Sequence, residues 1–274
     1  MTATPVPRET LGPGEIHVWL AGYGQSVDAS LHAAYRCLLN DSESAQEERF
    51  YFARDRQRYL VTRALVRTVL SQYAPSVEPA EWVFSTNAFG RPHAVNAAGR
   101  DLAFNVSHTH GLVVLGVTRG RAIGVDAEHV TGRKASLEIA ERFFAPVEFA
   151  DLATVSPDER ERRFFEYWTF KESYIKARGV GLSLALDKFS FRYPDDETVV
   201  LAIDEEMADD PCRWQFWQLR PSADYLVAVC AERLGPEPRL EFRRTVPMCS
   251  VDRIQVDVPR VSPGRQRRGE YKGG

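Results

Sequence analysis

Asp126 and Glu128 stand two apart in the run Gly124-Val125-Asp126-Ala127-Glu128, whose alternation predicts a strand. Side chains two apart on a strand leave the same face, so both carboxylates share a small volume while Ala127 points away. Left alone, such a pair repels and one member tends to keep its proton; a hard divalent cation lets both stay ionised. The plainer alternative is an exposed strand with ordinary polar residues. Trp168, Glu172 and Lys176 recur at four-residue spacing, which on a helix sets an acid and an ammonium on one stripe behind an aromatic anchor. A common surface Glu–Lys pair is the competing reading, worth only roughly a few tenths of a kcal/mol.

Other constellations carry less. Ser107-His108 suggests a Ser–His nucleophile, but adjacent strand residues face opposite ways and cannot form a dyad with each other. His108 and His110 could clamp a transition metal, yet no Cys or third His stands close by in sequence. Gly179-x-Gly181 lacks the third glycine of a dinucleotide fingerprint, and neither a GxxxxGK phosphate loop nor a GxSxG elbow occurs. The cysteines at 37, 212, 230 and 249 fall in no CxxC pair and read as packing residues.

The elements that must position these residues follow from capping and periodicity. Ser44 and Glu47 have capping-box spacing and predict helix up to Tyr73, whole or broken near Asp55. Val61, Leu65 and Val69 give it an apolar stripe, while Arg49, Arg54, Arg56, Arg58, Arg63 and Arg67 make either a solvated face or an anion cradle. Strands are expected at 81–85 and 102–107, on either side of the loop TNAFGRPH. Residues 113–118 and 122–128 read as a hairpin turning at Gly120. Helix is expected over 137–155 with a break before Pro146, and again from Ser156-Pro157-Asp158-Glu159 to Arg178, where Gly179 suits a left-handed stop. Short alternating strands follow at 189–193, 198–203, 213–219 and 225–231. Beyond Gly235 the chain turns rich in Pro and charge, closes with SPGRQRRGEYKGG, and reads as a mobile appendage.

Length and charge bound the function. The 274 residues, 44% hydrophobic and 27% charged, suit a folded protein of one large or two small domains. Thirty-five basic against 38 acidic side chains give −3, so any anion site must be local, not a whole-molecule field for nucleic acid or membrane. No apolar run approaches the roughly 20 residues of a membrane span. The start MTATPVPRETLGPGE lacks the basic and apolar regions of a secretory signal, so a cytoplasmic location is expected.

Taken in order, the Arg-rich helix, Gly90-Arg91-Pro92, Phe104-Asn105-Val106-Ser107-His108, Gly124-Val125-Asp126-Ala127-Glu128 and Trp168-x-x-Lys171-Glu172-x-x-x-Lys176 form a set. Over about residues 45 to 230 it resembles the Sfp-type 4'-phosphopantetheinyl transferases. The resemblance implies an α+β (α/β) fold, a pseudo-dimer of two similar α/β halves. These are 15–119, with the Arg-rich helix, and 120–235, with a metal site, followed by a flexible tail over 236–274. It implies transfer of the 4'-phosphopantetheine arm of coenzyme A to a serine of an apo acyl or peptidyl carrier protein, releasing adenosine 3',5'-bisphosphate. Mg2+ would sit at the pyrophosphate, with Mn2+ able to substitute.

On that resemblance Asp126, Glu128 and Glu172 hold the metal, and Glu172, Lys176 and Asp126 are catalytic, with Glu172 also the candidate base. Lys171 and Lys176 balance phosphate charge, Ser107 and His108 contact phosphate or adenosine, and Gly90, Arg91 and Pro92 flank the adenine. Arg49, Arg54 and Arg58 take the 3'-phosphate. Phe143 and Phe144 either meet the carrier or belong to the core. A monomer is implied, with no nucleic-acid or membrane partner. The competing class, a non-catalytic phosphate or nucleic-acid binder using the Arg-rich helix, leaves the carboxylates without a purpose.

Overall fold

The computed structural model describes residues 8–24, 28–131 and 137–264. The last ten residues, which end the charged tail, and the first seven lie outside the described residues. In chain order the strands and helices are β1 (Glu15–Gly22), α1 (Ala29–Arg36), α2 (Asp41–Glu48), α3 (Ala53–Tyr73), β2 (Phe84–Thr86), β3 (Pro92–Ala94), β4 (Leu102–Thr109), β5 (Leu112–Arg119) and β6 (Ile123–His129). Then come α4 (Leu137–Phe143), α5 (Pro146–Thr154), α6 (Pro157–Arg178), β7 (Phe189–Arg192), β8 (Val200–Ile203), β9 (Trp214–Ser222), β10 (Tyr225–Glu232), β11 (Arg239–Val246), β12 (Ser250–Ile254) and β13 (Asp257–Val261).

The fold is α+β in two halves. Sheet order β12-β11-β1-β5-β4 underlies α3, and order β13-β9-β10-β6 underlies α6. Each long helix buries an apolar face on its sheet: Leu60, Leu65 and Leu70 of α3 beside Trp19 and Phe104, and Phe170 and Tyr174 of α6 beside Phe191 and Phe216. A third core lies between the sheets, where Val18 and Val114 are clustered with Val125, Leu219 and Val229. Burial of these side chains contributes about 1.5–3 kcal/mol apiece and fixes how the halves meet.

Helix ends largely follow the sequence. Ser156 caps α6, accepting from the Glu159 amide at 3.4 Å, and Gly179 ends the helix at φ 66°. The capping box ahead of the Arg-rich region is four residues earlier than expected. Asn40 accepts from the Glu43 amide, and Glu43 reaches back to the Asn40 amide. The chain breaks between α2 and α3.

Three expectations are corrected. Residues 113–118 and 122–128 are not a hairpin: β5 pairs with β1 and β4, whereas β6 pairs with β10, so the chain changes sheet at Gly120. The presumed tail supplies three strands, because its apolar alternation finds open sheet edges on both halves. In it β11 lies parallel to β1 and β13 antiparallel to β9. Only Cys230 of the four cysteines packs inside; Cys37, Cys212 and Cys249 are exposed.

Candidate functional site

A cavity of about 1270 Å³ opens where β1 ends and α3 begins, walled by Arg54 and Arg58 of α3, His108 of β4, and Glu128 and His129 at the end of β6. The first turns of α3 face it, and Phe52, at the N-cap, makes no side-chain cap there. Arg58 pairs with Asp55 at 3.2 Å, and its charge, after burial of the ring, lowers the His108 pKa. Arg56, Arg63 and Arg67 pair within the first half. Arg67 is fully buried and donates to Glu43 at 2.6 Å and to the Trp82 carbonyl at 2.9 Å. Arg63 pairs with Glu43 and Arg56 with Glu47, while Arg49 ends α2 and is not among the cavity-lining residues.

Asp126 is 5% exposed. Its Oδ1 accepts from Lys176 Nζ at 2.6 Å and from Ser107 Oγ at 3.1 Å. Its Oδ2 is buried without a hydrogen-bond partner among the described residues. Glu172 lies one turn before Lys176 on α6, half-buried. Burial and then the Asp126 charge raise its pKa, with Lys176 opposing. Glu128 leaves the same face of β6 as Asp126 and reaches the cavity wall.

A buried carboxylate oxygen without a donor, beside a second carboxylate that feels its charge, suits a hard cation, and an all-oxygen donor set is what magnesium prefers. The residues present fit such an ion. They are not gathered in advance: among the described residues no three His, Cys, Asp or Glu side chains stand at ligand spacing. Lys176 meanwhile holds one Asp126 oxygen.

Several residues expected to touch a cofactor are otherwise engaged. Lys171 is fully buried: its Nζ lies 2.7 Å from Glu148 Oε2 and donates to the Leu186 and Phe189 carbonyls. Adjacent residues on a helix point about 100° apart, so when Glu172 faces the acids Lys171 faces the core. Burial lowers the Lys171 pKa and raises that of Glu148, each opposed by the partner's charge. Arg91 donates to the Ala177 and Ile123 carbonyls at 2.8 and 3.0 Å, which docks the Gly90–Pro92 loop on the end of α6, and none of Gly90, Arg91 and Pro92 lines the cavity. Ser107 is buried and spends its hydroxyl on Asp126, Lys176 and the Ala127 amide. Phe144 belongs to the core at 3% exposure, and Phe143, like Leu137, Ile139 and Val147, is exposed.

Sequence reasoning missed Glu148, whose role depends on a lysine in another helix. It also missed the aromatic wall of the cavity, where His129 meets His110 and Tyr225 edge-to-face at 5.5 and 5.3 Å. No periodicity marks either.

Comparison with known proteins adds two family matches. The profile "4'-phosphopantetheinyl transferase, N-terminal" matches residues 25–119, and "4'-phosphopantetheinyl transferase superfamily" matches 122–230. The chain is 38% identical over 214 residues to "4'-phosphopantetheinyl transferase Sfp" of Bacillus subtilis (strain 168), covering 76% of this chain and 91% of that one. It is 34% identical over 213 residues to a "4'-phosphopantetheinyl transferase" of Bacillus subtilis, with the same shares. It is 29% identical over 234 residues to "4'-phosphopantetheinyl transferase HetI" of Nostoc sp., covering 85% of this chain and 94% of that one.

Proposed function

The chain belongs to the 4'-phosphopantetheinyl transferase superfamily, and from that premise we propose how its residues divide the work. It is an enzyme that transfers the 4'-phosphopantetheine group of coenzyme A to a serine of an apo carrier protein. The serine oxygen forms a bond to the phosphorus that bears the pantetheine, and the bond from that phosphorus to the bridging oxygen breaks. Adenosine 3',5'-bisphosphate leaves with the electron pair.

Asp126 and Glu172, with Glu128 from the same strand face as Asp126, would hold Mg2+, and Mn2+ could replace it. Bound there, such an ion would supply positive charge to the pyrophosphate. Lys176, already drawn to this corner by Asp126, balances charge on the departing phosphate. Glu172 takes the serine proton, directly or through a water. Arg54 and Arg58 bind the 3'-phosphate with paired donors. His108, whose proton affinity is lowered by burial and then by the Arg58 charge, donates a ring N–H to the pyrophosphate. The Gly90–Pro92 loop offers the adenine backbone, not charge. The carrier, acyl or peptidyl, docks on the exposed apolar face of α4 and α5, with Phe143 among its contacts.

Both halves of the cleft come from one chain, so the enzyme works as a monomer. Among the described residues no helix is long and apolar enough to cross a membrane. The four free cysteines fit a reducing compartment such as the cytoplasm.

One observation carries the metal assignment: the buried Oδ2 of Asp126, without a hydrogen-bond partner among the described residues, beside Glu172, which feels the Asp126 charge. Intact-mass spectrometry of apo carriers incubated with coenzyme A and Mg2+ tests the activity, and EDTA should abolish the mass gain. Absence of a gain across several acyl and peptidyl carriers overturns the reading. Binding of Mn2+, followed by its electron spin resonance signal, should weaken at least about tenfold in Asp126→Asn.

A further inference from the structure

The strand bearing the acids meets the first-half sheet with no backbone ladder. Both β4 and β6 are terminal strands of their sheets. One edge of β6 is paired to β10, so the amides of Val125, Ala127 and His129, on alternate residues, point the other way, towards β4. Each is met by a side chain. Val125 donates to Asn105 Oδ1 at 2.8 Å, Ala127 to Ser107 Oγ at 3.2 Å, and His129 to Thr109 Oγ1 at 2.9 Å. All three rungs have the same sequence offset of 20. Arg91 completes the edge by donating to the Ile123 carbonyl at 3.0 Å.

We propose that Asn105 and Thr109 are positioning residues that set the register of β6 on β4 and so hold Asp126 at its working distance from the phosphate-binding groups of the first half. The inference rests on the functional reading above. Val125 and Ala127 are buried, so their amides have no water to fall back on if a rung is lost. Slipping the strands by one residue would bring Val106 and His108 opposite those amides, and neither restores the set of acceptors. In that reading pyrophosphate contacts come from both strands, His108 on β4 and Asp126 on β6, whereas the 3'-phosphate is held by Arg54 and Arg58 of α3 alone. Loss of a rung therefore misplaces the reacting centre and spares the anchor. Ser107 is a poor probe because it also touches Asp126 and Lys176.

Thr109→Val keeps the shape and removes the acceptor, while Thr109→Ser keeps the acceptor. Thr109→Val should lower kcat about tenfold or more, since small misplacements of reacting groups are that costly. Its affinity for adenosine 3',5'-bisphosphate, measured calorimetrically, should stay within twofold of wild type, and amide exchange at His129 should accelerate. Thr109→Ser should restore kcat, and Asn105→Asp should outperform Asn105→Leu in the same way. Unchanged kcat in Thr109→Val, unchanged exchange at His129, or parallel loss of kcat and product affinity each overturns the proposal. Failure of the wild-type protein to bind adenosine 3',5'-bisphosphate would sink the functional reading instead, and the exchange measurement would still judge the rungs.

Discussion

Gly124 of β6 lies directly beneath Ser173 of α6: a Cβ added at 124 would stand 2.0 Å from the Ser173 carbonyl oxygen and 2.4 Å from the Ala177 amide nitrogen. Those are backbone atoms, so relief requires the whole helix to shift, not a side chain to rotate. Glu172 adjoins that contact, and the Lys176 carbonyl carbon is part of it at 3.0 Å. Gly124→Ala should therefore cost at least about 100-fold in carrier modification, with a lower melting temperature from overpacking. Wild-type turnover at an unchanged melting temperature would show that the close approach of α6 to β6 is not needed.

Lys171 and Glu148 make a buried ion pair whose remaining valences are satisfied by backbone: Glu148 accepts from Ala145 and Phe191, and Lys171 donates to Leu186 and Phe189. Removing one partner leaves an uncompensated charge, so Lys171→Met should lose about 3–5 kcal/mol in urea unfolding. Adding Glu148→Gln to that variant should recover part of the loss, because the amide oxygen still accepts one backbone hydrogen. A Lys171→Met protein of normal stability with a raised KM for coenzyme A would return this lysine to the substrate.

What could be read beforehand is what local periodicity decides. Asp126 and Glu128 on one strand face, Glu172 and Lys176 on one helix stripe, and the stops at Ser156 and Gly179 all follow from spacing within one element. What could not be read depends on distant partners. The strand of Asp126 pairs with Ala228, about a hundred residues on, which nothing near Gly120 announces, so a local hairpin looked natural. Arg63 and Arg67 resemble Arg54 and Arg58 in sequence, and only the packing of α2 places Glu43 beside the first two. Asn105, Ser107 and Thr109 alternate visibly along β4, but their meaning needs the strand they face.

The C-terminal strands should prove structural. Leu240, Phe242, Ile254, Val256, Val258 and Val261 pack on the core between the sheets, and Arg243 and Arg260 pair with Glu9 and Glu166 at 2.8 and 3.3 Å. Ending the chain after Leu234 uncovers that core and leaves β1 an open edge. The expected outcome is aggregation, or a melting temperature lower by more than about 10 °C. Ending it after Val256 removes β13 alone and should give an intermediate value. Full stability in the shorter protein would mean that the segment is an appendage after all.

His17 should make stability fall in mild acid. It is 1% exposed on β1, with Nδ1 2.6 Å from the Tyr73 hydroxyl and Nε2 3.3 Å from Arg243. Burial, then the Arg243 charge, lowers its pKa to about 4, against the pull of Glu9 and Glu15. In the unfolded chain the ring titrates near its ordinary value of about 6.5. Between those values the unfolded state binds a proton that the folded state refuses, so stability rises with pH across this window. The contribution is complete above about pH 6.5, shrinks as the pH falls, and is gone below about pH 4. Urea unfolding of the wild type should lose about 2 kcal/mol more than His17→Gln on going from pH 7 to pH 5. Because both proteins share every other titrating group, parallel pH profiles would mean that the ring is protonated in the folded state as readily as in the unfolded one.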